Sequence, residues 1–162
     1  MNRMIKQLFS LLIVLFTIQA QAMDVIELKQ KNSNKVVVKI RFENGSIADP
    51  ADKAGLTFAT ASMMAQGGAG GLSYSDIQDK MHPWAASYDV FTDKQVTTFT
   101  FQVPVDFIDE FYPLAKNVLL SPDFSEKDFS RVMKGQQNYV DQVVRASSDE
   151  NYSKFALEDQ LF

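Results

Sequence analysis

The sequence predicts an α+β fold, a mostly antiparallel sheet with helices packed on one face. Three observations carry this. From Gln95 to Val103 the chain alternates, with Val96, Thr98 and Thr100 set against Thr97, Phe99 and Phe101, the period-two pattern of a strand. From Val105 to Leu120, Phe107, Ile108, Phe111, Leu114, Ala115, Val118 and Leu119 recur at the three- and four-residue spacing of an amphipathic helix. The elements also come in the order strand, strand, helix, helix, strand, strand, helix, helix, helix, which suits a sheet covered by helices on one side.

Taken in order, residues 1–22 read as a secretory signal peptide. Arg3 and Lys6 form a positive start, Leu8 to Ile18 is almost wholly apolar, and Ala20-Gln21-Ala22 is a small-x-small cleavage site with the cut after Ala22. The apolar run falls short of the roughly 20 residues a membrane span takes. No Cys follows it to carry a lipid anchor. The expected product is a bacterial periplasmic or secreted protein with no stable membrane span after cleavage, and residues 23–162 form its one domain.

In that domain Val25 to Leu28 is short and β-prone. Lys35 to Phe42 reads as a strand with Val38, Ile40 and Phe42 on one face and Lys39 and Arg41 on the other, closed by Asn44-Gly45-Ser46. Asp49-Pro50 and Asp52 supply a helix start, with Asp as N-cap, and Gly67-Gly68 a stop. The chain has no charge from Gly55 through Gln66, so this helix is expected to be buried nearly all round. Ser73 caps a short helix from Tyr74 to Met81, with Asp76 in its first turn and Pro83 ending it. Ala85 to Phe91 is β-prone, and Asp93-Lys94 makes the turn to the next strand without the glycine of a tight hairpin. Pro113 should kink the amphipathic helix. Ser125-Glu126-Lys127-Asp128 opens a helix running toward Arg145, and Ser148 or Asp149 caps a last one.

Composition narrows the function classes. With 16 Lys and Arg against 20 Asp and Glu the chain is mildly acidic, and it has no basic stripe, which argues against nucleic acid or an anionic membrane surface as partner. The absence of cysteine removes disulfide and thiolate chemistry, and a single histidine, His82, cannot assemble a Ser-His-Asp or Cys-His arrangement. Its neighbours Met81, Pro83 and Trp84 supply no partner for metal or proton transfer. Gly67 to Gly71 lacks the Gly-Lys-Ser/Thr of a phosphate loop and reads as a helix stop with a connection. Met63-Met64 reads as core filling, and Glu126, Asp128 and Glu150 as solvated helix ends.

The most specific stretch is Ala54-Gly55-Leu56-Thr57-Phe58-Ala59-Thr60-Ala61-Ser62-Met63-Met64-Ala65-Gln66-Gly67. Together with Phe42 to Pro50, Thr92 to Phe99 and Val118 to Ser125, in this order and spacing, it resembles the N-terminal half-domain of the pitrilysin/insulinase (M16-type) metallopeptidases. Active members of that family carry zinc on an inverted motif, His-x-x-Glu-His, after a Gly-Leu pair. In register with it, the first His falls on Phe58, the Glu on Ala61 and the second His on Ser62. The family's third ligand, a Glu, falls near Gln136 to Tyr139, a window without a carboxylate; Asp141 is the closest.

The resemblance thus implies the family's fold with no catalytic residue, no metal ligand and no cofactor. It further implies an edge strand that pairs with substrate peptide, around Ala85, Ala86, Ser87 and Tyr88, where small residues leave room for a backbone to approach. A ligand-less chain of this kind is expected to partner a catalytic M16-type chain and help it enclose unfolded peptide. The domain is expected to continue beyond residue 162, and the isolated chain to be sticky or unstable. Two other readings remain. One is an active zinc metalloendopeptidase of the family, which ligand supply opposes; the other is a peptide-binding or scaffold module of the cell envelope.

Overall fold

The computed structural model describes residues 23–146 and 149–161. The signal peptide expected at residues 1–22 and the capping role expected of Ser148 lie outside the described residues. The chain divides into a first unit, Met1–Asn32, and a second, Ser33–Phe162. In the first, Val25 to Leu28 is not the strand its composition suggests: it has no regular structure, and Val25, Ile26 and Leu28 are exposed. β-propensity becomes a strand only where a neighbour offers a ladder and a surface to pack on.

The second unit runs β1 (Lys35–Phe42), α1 (Leu56–Gln66), α2 (Tyr74–Met81), β2 (Ser87–Thr92), β3 (Thr97–Pro104), α3 (Ile108–Leu120), α4 (Glu126–Tyr139) and α5 (Asp149–Leu161). Short 3-10 turns lie at Ser46–Ala48, His82–Trp84 and Val105–Phe107, and a π-helical segment, Val140–Val144, follows α4. The sheet is antiparallel throughout, in the order β1-β3-β2.

The central strand β3 has the two faces its alternation predicts. Thr97, Phe99, Phe101 and Val103 are buried, and the core they join is completed by Ile77 and Met81 of α2 and Phe111, Leu114 and Val118 of α3. Phe99 stacks on Phe101, which meets the edge of Phe111, with ring centroids 6.4 and 6.3 Å apart. Complete burial of one such side chain is worth about 1.5–3 kcal/mol. The other sheet face carries Lys39, Arg41, Thr98, Thr100 and Gln102. Coverage of the inner face stops short of β1: Val36, Val38 and Ile40, with Ile108, Tyr112 and Leu119 of α3, line an apolar groove of about 120 Å³.

Between β2 and β3, the Asp93 carboxylate does the work that a glycine does in tighter hairpins. Its Oδ1 accepts the N–H groups of Gln95 and Val96 at 2.8 and 2.9 Å, while its own N–H donates to the Val96 carbonyl at 3.0 Å. The tip is anchored from outside. Ser46 and Ile47 donate backbone N–H groups to the Asp93 and Lys94 carbonyls at 2.9 and 3.0 Å. Gly45 lies so close that a Cβ there would collide with the backbone of Asp93, Lys94 and Gln95.

Helix α1 begins later than its acidic residues suggest, with Gly55 at φ 87° in the N-cap position. Asp49, rather than Asp52, satisfies its start from upstream, accepting the N–H groups of Gly55 and Thr57 at 2.8 and 2.9 Å and the Thr57 hydroxyl at 2.5 Å. Nor is α1 buried all round: Ala61, Ser62, Met63 and Ala65 are buried, but Leu56 and Phe58 in the first turn are exposed. Its end is tied to α4, where the Arg131 guanidinium donates to the Gln66 carbonyl and Asp128 accepts the Gly68 N–H at 3.2 Å. Helix α2 has the expected bounds and a reciprocal capping box between Ser73 and Asp76. Helix α3 runs through Pro113 as one element, with Phe111, Leu114 and Val118 on its buried side.

Candidate functional site

Two places can carry function: the α1 face that the zinc motif would occupy, and the edge of the sheet at β2. On α1, the positions Phe58, Ala61 and Ser62 keep the i, i+3, i+4 spacing of one helical face. Ala61 and Ser62 are 4% and 3% exposed, and Phe58 is 42% exposed. The set offers a methyl, a hydroxyl and an aromatic ring, with none of the imidazole, thiolate or carboxylate groups that hold zinc.

Helix α4, which packs on α1, adds nothing in the window Gln136 to Tyr139. Asp141, just beyond, is engaged on its own helical stretch, accepting from Gln137 Nε2 at 2.9 Å and Arg145 Nη1 at 3.2 Å. Among the described residues no three His, Cys, Asp or Glu side chains are grouped to hold a metal ion. The residues present do not fit the zinc of the resembling family. The glycine segment after α1 is pinned as a connection: Gly70 donates to the Ser121 carbonyl at 2.8 Å, and Asp123 to that of Gly68 at 2.9 Å.

At the sheet, β2 pairs with β3 alone among the described residues, so its other side is an edge. The four positions singled out in the sequence divide between two roles. Ala85 ends the 3-10 turn in a left-handed conformation with φ 50°, and Ala86 donates to the Met81 carbonyl at 3.3 Å, so neither belongs to the strand. Ser87 opens β2 facing away from the core, whereas the Tyr88 ring turns inward against Phe101, centroids 5.9 Å apart. The Tyr88 hydroxyl is buried without a hydrogen bond; Gln78 lies beside it but outside bonding geometry. Burial, with Tyr74 nearby, pushes its pKa up to about 12.

Parity of the ladder shows which backbone groups the edge presents. The bond from the Asp93 N–H to the Val96 carbonyl makes that pair hydrogen-bonded, so alternation gives β3 the groups of Ser87, Asp89 and Phe91. The bond from the Val105 N–H to the Asn34 carbonyl at 2.9 Å sets the same parity from the β1 side. Tyr88, Val90 and Thr92 therefore turn their N–H and C=O groups to the open edge. The edge extends to Thr92, beyond the four residues chosen from the sequence; the alternation of β2 was the available signal, and the strand order was the missing one.

The two edges differ in chemistry. Along β1, Lys35, Lys39 and Arg41 are exposed, the charged residues that discourage strand addition. Along β2 no cation and no proline intervenes between Ser87 and Thr92.

The comparisons with known proteins agree with this architecture. The model of the family Insulinase (Peptidase family M16) matches residues 25–161, and the chain belongs to that family. In structure it is similar to a protease from Helicobacter pylori, with a TM-score of 0.57 and 12% sequence identity over 66% of this chain. That likeness is one of fold. The chain spans 26% of that protease's length. No curated protein matches the chain in sequence. Among the described residues no helix is long and apolar enough to cross a membrane.

Proposed function

We propose that this chain is a non-catalytic M16-family domain that holds unfolded peptide along β2, in the periplasm or outside the cell, beside a catalytic zinc-bearing chain of the same family. The observation carrying the proposal is the pairing of a ligand-free α1 face with an unprotected strand edge. Phe58, Ala61 and Ser62 cannot bind zinc as the family does, yet β2 keeps three outward-facing sets of backbone groups. Strand addition needs only those groups, and alternate side chains then set the preference.

The test uses the purified chain. Zinc content by elemental analysis, cleavage of an unstructured peptide, and binding of that peptide by fluorescence anisotropy are measured together. The expected result is no stoichiometric zinc, no cleavage and measurable binding. Val90→Pro removes an outward N–H and is tolerated on an edge strand; it should abolish binding while the far-ultraviolet circular dichroism is kept. One tightly held zinc per chain with chelator-sensitive cleavage would overturn the proposal.

A further inference from the structure

We infer that the edge at β2 selects extended peptides carrying a cationic side chain two positions from an apolar one, read by Asp89 and Phe91; this rests on the peptide-binding reading above. Tyr88 and Val90 pack toward the core, so Ser87, Asp89 and Phe91 share the outer sheet face. The Asp89 carboxylate has no hydrogen bond or ion pair among the described residues. Its partner on β3 is Thr100, and the nearest cation in that row is Lys39, which pairs with Thr100 from the far side. Two strand spacings put it about 10 Å away, at the range where salt screens exposed charges. Phe91 is 63% exposed, opposite Thr98, and so lacks an aromatic or aliphatic partner on that strand.

An antiparallel peptide bonded to the outward groups of Tyr88, Val90 and Thr92 stands in non-hydrogen-bonded pairs with Asp89 and Phe91. Those are the pairs in which side chains approach most closely. A Lys or Arg opposite Asp89 completes an ion pair, and an apolar residue two positions along covers Phe91. An acidic residue opposite Asp89 would be repelled. Cross-strand pairs of this kind contribute about 0.2–1 kcal/mol, which corresponds to a preference of up to about fivefold.

The experiment compares fluorescein-labelled ten-residue peptides in a Thr/Val host, each with one Phe and with Lys, Gln or Glu two positions from it. The expected affinity order on the wild-type chain is Lys, Gln, Glu. Asp89→Asn should level the three and Asp89→Lys should reverse the order, both with unchanged circular dichroism. Because the whole chain is negative, Asp106→Asn serves as the control for general attraction and should leave the order intact. Binding without a Lys over Glu preference, or a preference that Asp106→Asn weakens as much as Asp89→Asn does, would overturn the selectivity and leave edge binding standing. Failure of every peptide to bind would overturn both.

Discussion

Asp49 and Thr57 are joined twice: the carboxylate accepts the backbone N–H of Thr57 at 2.9 Å and its hydroxyl at 2.5 Å. This closes the start of the helix that in active relatives would carry zinc, and it does so without any residue of the helix acting as its own cap. The Thr57 hydroxyl is the main cause holding the Asp49 carboxyl below its ordinary value. Ser73 does the same for Asp76, the Gln95 N–H for Asp93, and the Arg131 guanidinium for Asp128.

Four depressed carboxyls give a pH dependence of known sign. The ordinary value is 3.8, and the folded values lie below it. Their contribution is therefore fully present above about pH 5 and is lost as pH falls through 4 and below. Urea midpoints measured from pH 7 to pH 3 should stay level and then drop. In Asp49→Asn the drop should be shallower.

Gly45→Val should destabilise the fold by about 1–3 kcal/mol, the usual cost of forcing volume into a packed place. The added side chain meets the backbone of the Asp93–Gln95 turn rather than a movable side chain. Chemical denaturation measures it, and Ser46→Ala serves as a neighbour whose Cβ is already accommodated.

Tyr88→Phe should leave stability unchanged or raise it by up to about 1–3 kcal/mol. The mutation deletes a buried hydroxyl that has no partner, and an unsatisfied polar group costs that much to bury. A clear loss of stability in thermal melts would show that the hydroxyl is bonded after all.

Amide exchange tests the parity of β2 directly. The N–H groups of Tyr88, Val90 and Thr92 should exchange faster than those of Asp89 and Phe91, which the β3 ladder holds. Bound peptide should slow the first three and leave the others unchanged. Uniform protection along β2 in the free chain would mean that the edge is covered.

Where the determinants were local, the sequence was a good guide. The bounds of α2 follow from Ser73 and Asp76, three residues apart, and the burial of β3 follows from its own alternation. The acidic residues put the start of α1 too early, because its capping carboxylate, Asp49, reaches forward from outside the helix. Val25 to Leu28 has strand composition without a strand neighbour. Membership of the M16 family was legible in the stretch from Ala54 to Gly67 taken in order and spacing with its flanking segments. That β2 is an edge was not derivable from its residues, because it depends on β1 crossing to the far side of β3.

That crossing sets an order of assembly. The β2–β3 hairpin closes through Asp93–Val96, whereas the Thr97 hydroxyl meets the Asn44 carbonyl across 53 positions. Long closures carry the larger entropy and come later. Substitutions at Val90 should then slow folding more than those at Val37, which should mainly speed unfolding. Until β3 exists, β1 waits as a valine-rich strand with no neighbour, the kind of segment that pairs with other unfolded chains. Lys35 and Lys39 bracket its three valines, so they guard the unfolded chain before they ever line the edge of a finished sheet.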